Sequence, residues 1–191
     1  MGNCFVVFCF LLSALFCSCR SHKESRSSGY DDIYQAEQAH YDPSLRDGNE
    51  QRKRYIERYS RAAIENRKKY GIPAAITLAQ GILESGSGTS YLAQMGLNHF
   101  GIKAGSDWSG QVISKPGEST RYRCYTTVAE CFADHALFLK RKRYQPLFRK
   151  KVTDYKGWAR GLSECGYATD PRYAEKLITI IERYELYKYD R

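Results

Sequence analysis

The stretch Ala75-Ile76-Thr77-Leu78-Ala79-Gln80-Gly81-Ile82-Leu83-Glu84, followed by Ser85-Gly86-Ser87-Gly88, contains the pattern that decides the fold. Apolar side chains at 75, 78, 79 and 82 follow the i, i+3, i+4, i+7 spacing of one helix face. Pro73 suits the first turn of such a helix. The segment therefore predicts a buried helix with a single carboxyl group near its carboxyl-terminal end.

The position of Glu84 favours the protonated form of its carboxyl group. Apolar surroundings remove hydration from the charged form, and the end of a helix places a carboxylate near the negative pole of the helix dipole. Both effects raise the pKa of a carboxyl group. A general acid needs this environment to hold a proton near neutral pH. A glutamate at a helix end is also common in structural roles, so this position alone assigns no function.

Helical spacing continues on both sides of this segment. Upstream, apolar residues between Tyr55 and Tyr70 predict a helix that Gly71 ends. The other predicted elements are, in order, a short helix at 90–95, a hairpin at 108–125, a helix at 127–140 that begins with a capping box, and helices after Asp154 and Asp170. A folded domain is thus predicted at 51–191, of class α+β and mainly α.

The amino-terminal region carries the pattern of an export signal. Residues 1–18 contain no charged side chain and include an apolar run that is too short for a comfortable membrane span. Ser18 precedes Cys19 as in a bacterial lipobox, whereas a bulky residue precedes Cys17. The Met-Gly start does not fit N-myristoylation, because residue 6 is Val. We predict a lipoprotein signal peptide at 1–18 and lipidation of Cys19.

Residues 19–50 read as the lipidated cysteine and a polar, flexible tether. A second interpretation is a short helix at 30–41 that docks on the domain. The formal net charge of +9 falls entirely outside the signal peptide, and a basic surface attracts polyanions. Export separates the protein from nucleic acid, which leaves anionic lipids and an acidic wall polymer as partners.

The cysteines and histidines support few specific predictions. Besides the lipidated residue, Cys124, Cys131 and Cys165 allow at most one disulfide, and the sequence does not select the pair. Cys131 and His135 share a helix face, but no second pair lies near enough in sequence to predict a metal site. His99 and His135 are interpreted as structural. A Cys-His peptidase that uses Cys131 is kept as a further hypothesis.

Five motifs occur in order: Leu83-Glu84-Ser85-Gly86-Ser87-Gly88, Asn98-His99-Phe100-Gly101-Ile102-Lys103, Tyr122-Arg123-Cys124-Tyr125-Thr126, Asp134-His135-Ala136-Leu137-Phe138-Leu139 and Gly166-Tyr167-Ala168-Thr169-Asp170-Pro171-Arg172-Tyr173-Ala174. Over residues 52–187 this series resembles the glucosaminidase family, typified by the muramidase domain of the flagellar-rod protein and by Gram-positive autolysins. The resemblance implies a lysozyme-like fold, in which a helical lobe and a small β-hairpin lobe flank a groove. It also implies an endo-β-N-acetylglucosaminidase that cleaves the glycan backbone of peptidoglycan.

The resemblance implies roles for individual residues as well. Glu84 matches the general acid of the family, and Tyr167 matches its groove tyrosine, which is assigned as a further catalytic residue. The second carboxylate of the family lies in the hairpin; Glu118 is the candidate, although the hairpin does not align cleanly, and Asp107 is the fallback. The remaining assigned residues are Asn98 and Phe100 at the groove floor, and Gln80, Ser85 and Asp170 as further substrate contacts.

Other functions stay open alongside the hydrolase. A lytic transglycosylase on the same fold also needs only one glutamate, and a non-catalytic peptidoglycan-binding module would keep only the groove. The basic runs 140–143 and 149–151 read as a solvated face that could hold carboxylated wall peptides or anionic headgroups. We expect a monomer without cofactor or metal, anchored by its lipid in the bacterial envelope (periplasm or outer membrane) and acting on glycan strands.

Overall fold

The computed structural model describes residues 48–191, so the predicted signal peptide, Cys19 and nearly all of the predicted tether lie outside the described residues. The α-helices are α1 (Gly48–Tyr70), α2 (Ala74–Ser85), α3 (Tyr91–Gly96), α4 (Val128–Leu139), α5 (Tyr155–Glu164) and α6 (Tyr173–Arg183). Two short strands, β1 (Val112–Ile113) and β2 (Tyr122–Arg123), and two 3-10 helices, η1 (Lys142–Arg149) and η2 (Leu186–Asp190), complete the fold.

Helix α2 forms the centre of the core. All of its residues from Ala74 to Ile82 are buried, as the apolar pattern predicts. It packs against α1, α6 and η2, and α1 contributes buried Tyr55, Ile56 and Tyr59 to the same core. Because α2 is enclosed along most of its length, only its carboxyl-terminal end is available to carry a functional side chain.

The predicted hairpin is confirmed as a small β lobe. Strands β1 and β2 are antiparallel, with Val112 opposite Arg123 and Ile113 opposite Tyr122. An isolated bridge also joins Lys103 to Tyr122. Each strand is only two residues long, so side-chain contacts rather than the ladder must hold this lobe in place.

Two helices begin at the capping residues that the sequence predicts, and a third helix is capped by a residue distant in sequence. The side chains of Thr127 and Asp154 accept backbone hydrogen bonds at the starts of α4 and α5, as predicted. At the start of α2 no local side chain caps the helix. Instead the distant carboxylate of Asp190 accepts hydrogen bonds from the backbone of Ala74 (2.6 Å) and Ala75 (3.3 Å). The carboxyl-terminal segment therefore fixes the orientation of the central helix.

The structure differs from the predicted element boundaries at two places. Helix α1 begins at Gly48, so the last three residues of the predicted tether are helical. The basic run after α4 was expected only as a charged face, but it continues into η1, which buries Tyr144 and Leu147. Within residues 48–191, no helix combines the length and apolar character that crossing a bilayer requires.

Candidate active site

A cavity of about 880 Å³ lies between the helices and the hairpin lobe, and Glu84 is among its lining residues. We call two parts of its lining the acid side and the hairpin side. The acid side comprises Glu84, Tyr144 and the segment 166–169. The hairpin side comprises Lys103, Ala104, Gly105, Asp107, Lys115, Tyr122 and Arg123. The floor of the cavity is formed by Phe100, Gly101 and Ile102, which directly precede Lys103 of the hairpin side in the sequence.

Glu84 reaches this cavity because α2 ends immediately after it. Gly86 adopts a left-handed conformation (φ 57°), and its amide donates to the carbonyl of Ile82, which closes the helix. The Glu84 side chain is exposed to the cavity, yet neighbouring protein atoms remove enough hydration to raise the pKa of its carboxyl group. A hydrogen bond from Tyr173 partly opposes this rise. The direction agrees with the sequence prediction of a proton-holding carboxyl group.

A buried pair of side chains supports Glu84 from behind. The hydroxyl of Tyr173 donates to Oε1 of Glu84 at 3.0 Å, and the amide of Gln80 donates to the Tyr173 oxygen at 3.0 Å. Since Gln80 supplies a proton to that oxygen, the hydroxyl proton of Tyr173 is available to Glu84. Gln80 is completely buried, so its predicted contact with substrate is corrected to a supporting contact behind the acid.

Ser85 also has a structural position rather than a place in the cavity. Its side chain is fully buried; the hydroxyl donates to the carbonyl of Gly81 (2.5 Å) and accepts from the amide of Gly88 (2.7 Å). These bonds shape the turn that follows α2. The prediction that Ser85 contacts substrate is corrected for that reason.

Asn98 joins the cavity floor to the hairpin. Its amide donates to the carbonyls of Ile102 and Arg123, both at 2.9 Å, and its carbonyl accepts from the amide of Ile102 at 3.0 Å. The side chain is 1% exposed, so it supports the floor without touching the cavity surface. This matches the predicted location at the groove floor but leaves no atom for direct substrate contact.

Asp170 lies outside the cavity lining. Its carboxylate accepts from the amide of Arg172 at 2.9 Å and pairs with Lys176, and its carbonyl accepts from the amide of Tyr173. These contacts begin α6 and thereby place Tyr173 beside Glu84. These contacts assign Asp170 an indirect role, and its direct contact with substrate stays a prediction.

Phe100 and Tyr167 both line the cavity, where the sequence placed them. The Phe100 ring stacks on His135 with centroids 3.8 Å apart. The Tyr167 ring stacks on Tyr173 (centroids 5.5 Å, interplanar angle 21°), and burial raises the pKa of its hydroxyl well above the ordinary value. Tyr167 is therefore a neutral aromatic wall beside Glu84.

The two candidate second carboxylates are both already occupied. Glu118 accepts from Lys115 and Tyr122, each at 3.3 Å, and it is not among the cavity-lining residues. Asp107 does line the cavity, but it accepts from Arg123 at 2.8 Å and from Arg141 at 2.7 Å. The Arg123 hydrogen bond, with the nearby guanidinium charges, lowers the pKa of Asp107. This arrangement gives no support to the prediction of Glu118 as the second catalytic carboxylate.

Sequence reasoning missed the network that anchors the hairpin side. Arg123 is 5% exposed and donates to both carboxylate oxygens of Asp134 in α4, at 3.0 and 3.1 Å. Its guanidinium also lies 4.8 Å from the ring centroid of Trp108, and Tyr125 donates to Asp134 at 2.7 Å. Both charged residues belong to the quoted motifs, but nothing in their spacing shows that they pair.

His99 and His135 are both buried, which fits the structural role predicted for them. Burial lowers the pKa of His99 and of His135 to about 3. Burial also raises the pKa of the Cys131 thiol, whose sulfur accepts a hydrogen bond from the amide of His99. A buried thiol beside neutral histidines contradicts the Cys-His peptidase hypothesis. In the part of the chain that the structure describes, no group of three His, Cys, Asp or Glu could hold a metal ion, and these cysteines are free: Cys124, Cys131 and Cys165.

Together, a helical lobe, a small β-hairpin lobe and a groove with a desolvated glutamate at a helix end define a lysozyme-like domain. The chain belongs to the glucosaminidase family: the family model, described as mannosyl-glycoprotein endo-beta-N-acetylglucosaminidase, matches residues 60–186. This confirms the family resemblance and the predicted fold class.

Individual relatives agree with this assignment. Exo-glucosaminidase LytG of Bacillus subtilis is 36% identical over 139 residues, which cover 64% of this chain and 48% of the relative. The structure of the glycoside hydrolase domain of Salmonella typhimurium FlgJ matches with a TM-score of 0.60 and 31% identity, over 70% of this chain and 88% of that one. The peptidoglycan hydrolase of Sphingomonas sp. A1 matches with a TM-score of 0.61 and 33% identity, over 71% and 90%. The chain spans about half the length of the curated relatives it matches.

Proposed function

We propose that this protein is a peptidoglycan hydrolase that cleaves the β-1,4 glycan backbone as an endo-β-N-acetylglucosaminidase, with Glu84 as general acid. One observation carries the proposal: among the cavity-lining residues in 48–191, Glu84 is the carboxyl group with no cationic partner, and its pKa is raised. The glucosaminidase family and relatives named as an exo-glucosaminidase and as peptidoglycan hydrolases support the substrate class.

The geometry around Glu84 suits transfer of a proton to a glycosidic oxygen. Desolvation raises the pKa of the Glu84 carboxyl group and so favours its protonated form before the reaction; the leaving oxygen then takes its proton. The Tyr173 hydroxyl stabilises the carboxylate that this transfer leaves behind, because it already donates to Oε1. The aromatic ring of Tyr167 borders the same space and can pack against a sugar face.

The step after proton transfer needs a group that completes the reaction at the sugar carbon, and no free second carboxylate lines the cavity in residues 48–191. An inverting hydrolase needs a second, free carboxylate that activates water. The two carboxyl groups then lie roughly 6.5–9.5 Å apart. Asp107 is held by two guanidinium groups, and Glu118 is paired outside the cavity lining. Assistance by the N-acetyl group of the substrate therefore fits better than a protein base. For the same reason a lytic transglycosylase, which forms an anhydro product, is the second candidate.

The test compares Glu84→Gln with Glu118→Gln in the purified full-length protein. Glu84→Gln removes the transferable proton at constant shape, so release of new chain ends from peptidoglycan should fall by a factor on the order of 10²–10⁴. Glu118→Gln makes the same chemical change outside the cavity lining and should keep most of the activity. Equal, near-complete activity in both variants, with folding checked by circular dichroism, would refute Glu84 as the acid.

Mass spectrometry of the products separates the remaining alternatives. Reducing N-acetylglucosamine ends indicate the hydrolase, and anhydro-muramyl ends indicate the transglycosylase. Retention on insoluble peptidoglycan without any turnover by the unmodified protein would instead indicate a non-catalytic binding module.

We further propose that the protein is exported and anchored in the bacterial envelope through a lipid on Cys19, and that it acts as a monomer. The support for export and lipidation is the sequence of residues 1–19, which lies outside the described residues. Metabolic labelling with a fatty acid should mark the unmodified chain and Cys17→Ser, but not Cys19→Ser. Labelling that persists in Cys19→Ser contradicts the assigned cysteine, and light scattering in detergent measures the oligomeric state.

A further inference from the structure

The basic run after α4 divides into two groups that the sequence does not distinguish. Arg141 and Arg143 line the cavity, whereas Lys140 and Lys142 do not. The ammonium group of Lys140 lies over the Phe148 ring, 4.2 Å from its centroid. Part of the run expected as a solvated face therefore belongs to the candidate active site.

Positive charge exceeds negative charge on the cavity lining. Among the lining residues in 48–191, five are cationic and two are acidic; the acidic ones are Glu84 and Asp107. The cationic ones are Lys103, Lys115, Arg123, Arg141 and Arg143. Because the raised pKa of Glu84 favours its neutral form, the excess of positive charge is larger still when the acid is ready to react.

Two of these cations have no acidic partner within the described chain. Arg123 and Arg141 share Asp107, and Lys115 pairs with Glu118. Arg143 donates only to neutral carbonyl groups of the segment that carries Tyr167, those of Cys165 (2.6 Å) and Gly166 (3.0 Å). Lys103 is exposed, and its ammonium group makes no ion pair with the residues in 48–191.

In a strand that carries its peptide stems, the lactyl carboxyl groups of the sugars are amide-linked, so the glycan backbone offers no charge to these groups. The stems themselves carry free carboxylates close to the sugar chain. We propose that Lys103 binds a carboxylate of the peptide stem, so that charged stems strengthen the binding of a strand in the groove. This inference rests on the proposed function and names the part of the substrate that the hairpin side recognises. An exposed amine and a carboxylate form a pair that salt weakens.

The test uses one peptidoglycan preparation in two forms: native, and with its carboxylates converted to neutral amides by carbodiimide and methylamine. The unmodified full-length protein should cleave the amidated form with a kcat/KM lower by roughly two- to fivefold, mainly through KM. Lys103→Gln should show this loss already on the native form and no further loss after amidation. Lys142→Gln removes the same charge from η1, outside the cavity, and should behave like the unmodified protein.

Binding gives a second readout that does not depend on turnover. Retention of Glu84→Gln on native and amidated sacculi should differ in the same direction, and Glu84→Gln/Lys103→Gln should remove the difference. Equal cleavage and equal retention of the two forms by proteins with Lys103 overturn the inference while leaving the proposed hydrolase intact. If the unmodified protein cleaves neither form but is still retained more strongly on native than on amidated sacculi, the result counts against the proposed function alone.

An interaction of Lys103 with membranes would be a different conclusion. Vesicles containing phosphatidylglycerol test it directly: if Lys103→Gln loses binding to vesicles while keeping its discrimination between native and amidated peptidoglycan, the stem-carboxylate assignment is wrong.

Discussion

The acid side and the hairpin side of the cavity hold their carboxyl groups in opposite ways. On the acid side, Glu84 is supported by neutral groups, the hydroxyl of Tyr173 and, through it, the buried amide of Gln80. On the hairpin side, Asp107 is clamped between two guanidinium groups. Desolvation raises the pKa of Glu84, and the arginines lower the pKa of Asp107. One carboxyl group is thus prepared to give a proton, and the other is an ionised structural link.

The largest predicted effect on stability concerns the arginine that anchors the hairpin side. Arg123→Met should lower the free energy of unfolding by about 3 kcal/mol, because it leaves Asp134 without its buried cationic partner. Urea unfolding followed by circular dichroism measures the change. The matched control is Arg141→Met, which removes the other partner of Asp107 from a position whose side chain is 46% exposed. If both variants are equally stable, the hairpin side is not held by the buried pair.

The next effect is catalytic and belongs to the acid side. Tyr173→Phe removes the hydrogen bond that stabilises the carboxylate of Glu84, so kcat should fall by about tenfold. The same hydrogen bond lowers the pKa of Glu84. Its loss must therefore raise that pKa, and the alkaline limb of the kcat/KM profile should move to higher pH.

Tyr167→Phe provides the comparison for that experiment. It keeps the stacked ring beside Tyr173 but removes only its own hydroxyl. A lower kcat with an unmoved alkaline limb would support the predicted catalytic role of Tyr167. A limb that stays in place in Tyr173→Phe would instead show that Tyr173 does not control the proton on Glu84.

Much of the fold could be predicted because its determinants are local. The apolar periodicity of α2, the cap at Thr127 and the hairpin glycines act over a few residues, and the structure follows them. The cap that Asp190 provides for α2 joins positions more than a hundred residues apart. No short-range sequence pattern predicts such a contact. The sequence also does not predict η1, because its two buried residues, Tyr144 and Leu147, stand among charged residues.

The site shows the same division between local and distant information. The location of Glu84 follows from the helix pattern alone, and its raised pKa follows from the apolar surroundings. The roles of Gln80 and Ser85 were misassigned because proximity to Glu84 in sequence does not say which helix face a side chain occupies. The state of Asp107 depends on Arg141, which is distant in sequence and belongs to a run that reads as solvated surface.

The smallest predicted effect is also the one that tests the comparison most directly. Asp107→Asn keeps an oxygen that can accept from both arginines, and Arg123 retains Asp134 as its ionic partner. Because the Asp107 side chain is more than half exposed and its pair with Arg141 is solvated, activity on peptidoglycan should change by less than about threefold. Thermal unfolding controls for folding, and raising the salt concentration should shrink any difference between Asp107→Asn and the unmodified protein.

A folded variant with activity reduced as strongly as in Glu84→Gln would make Asp107 the second catalytic carboxylate. The guanidinium groups would then have to release it when substrate binds, and the hairpin side would take part in the chemistry rather than only in binding.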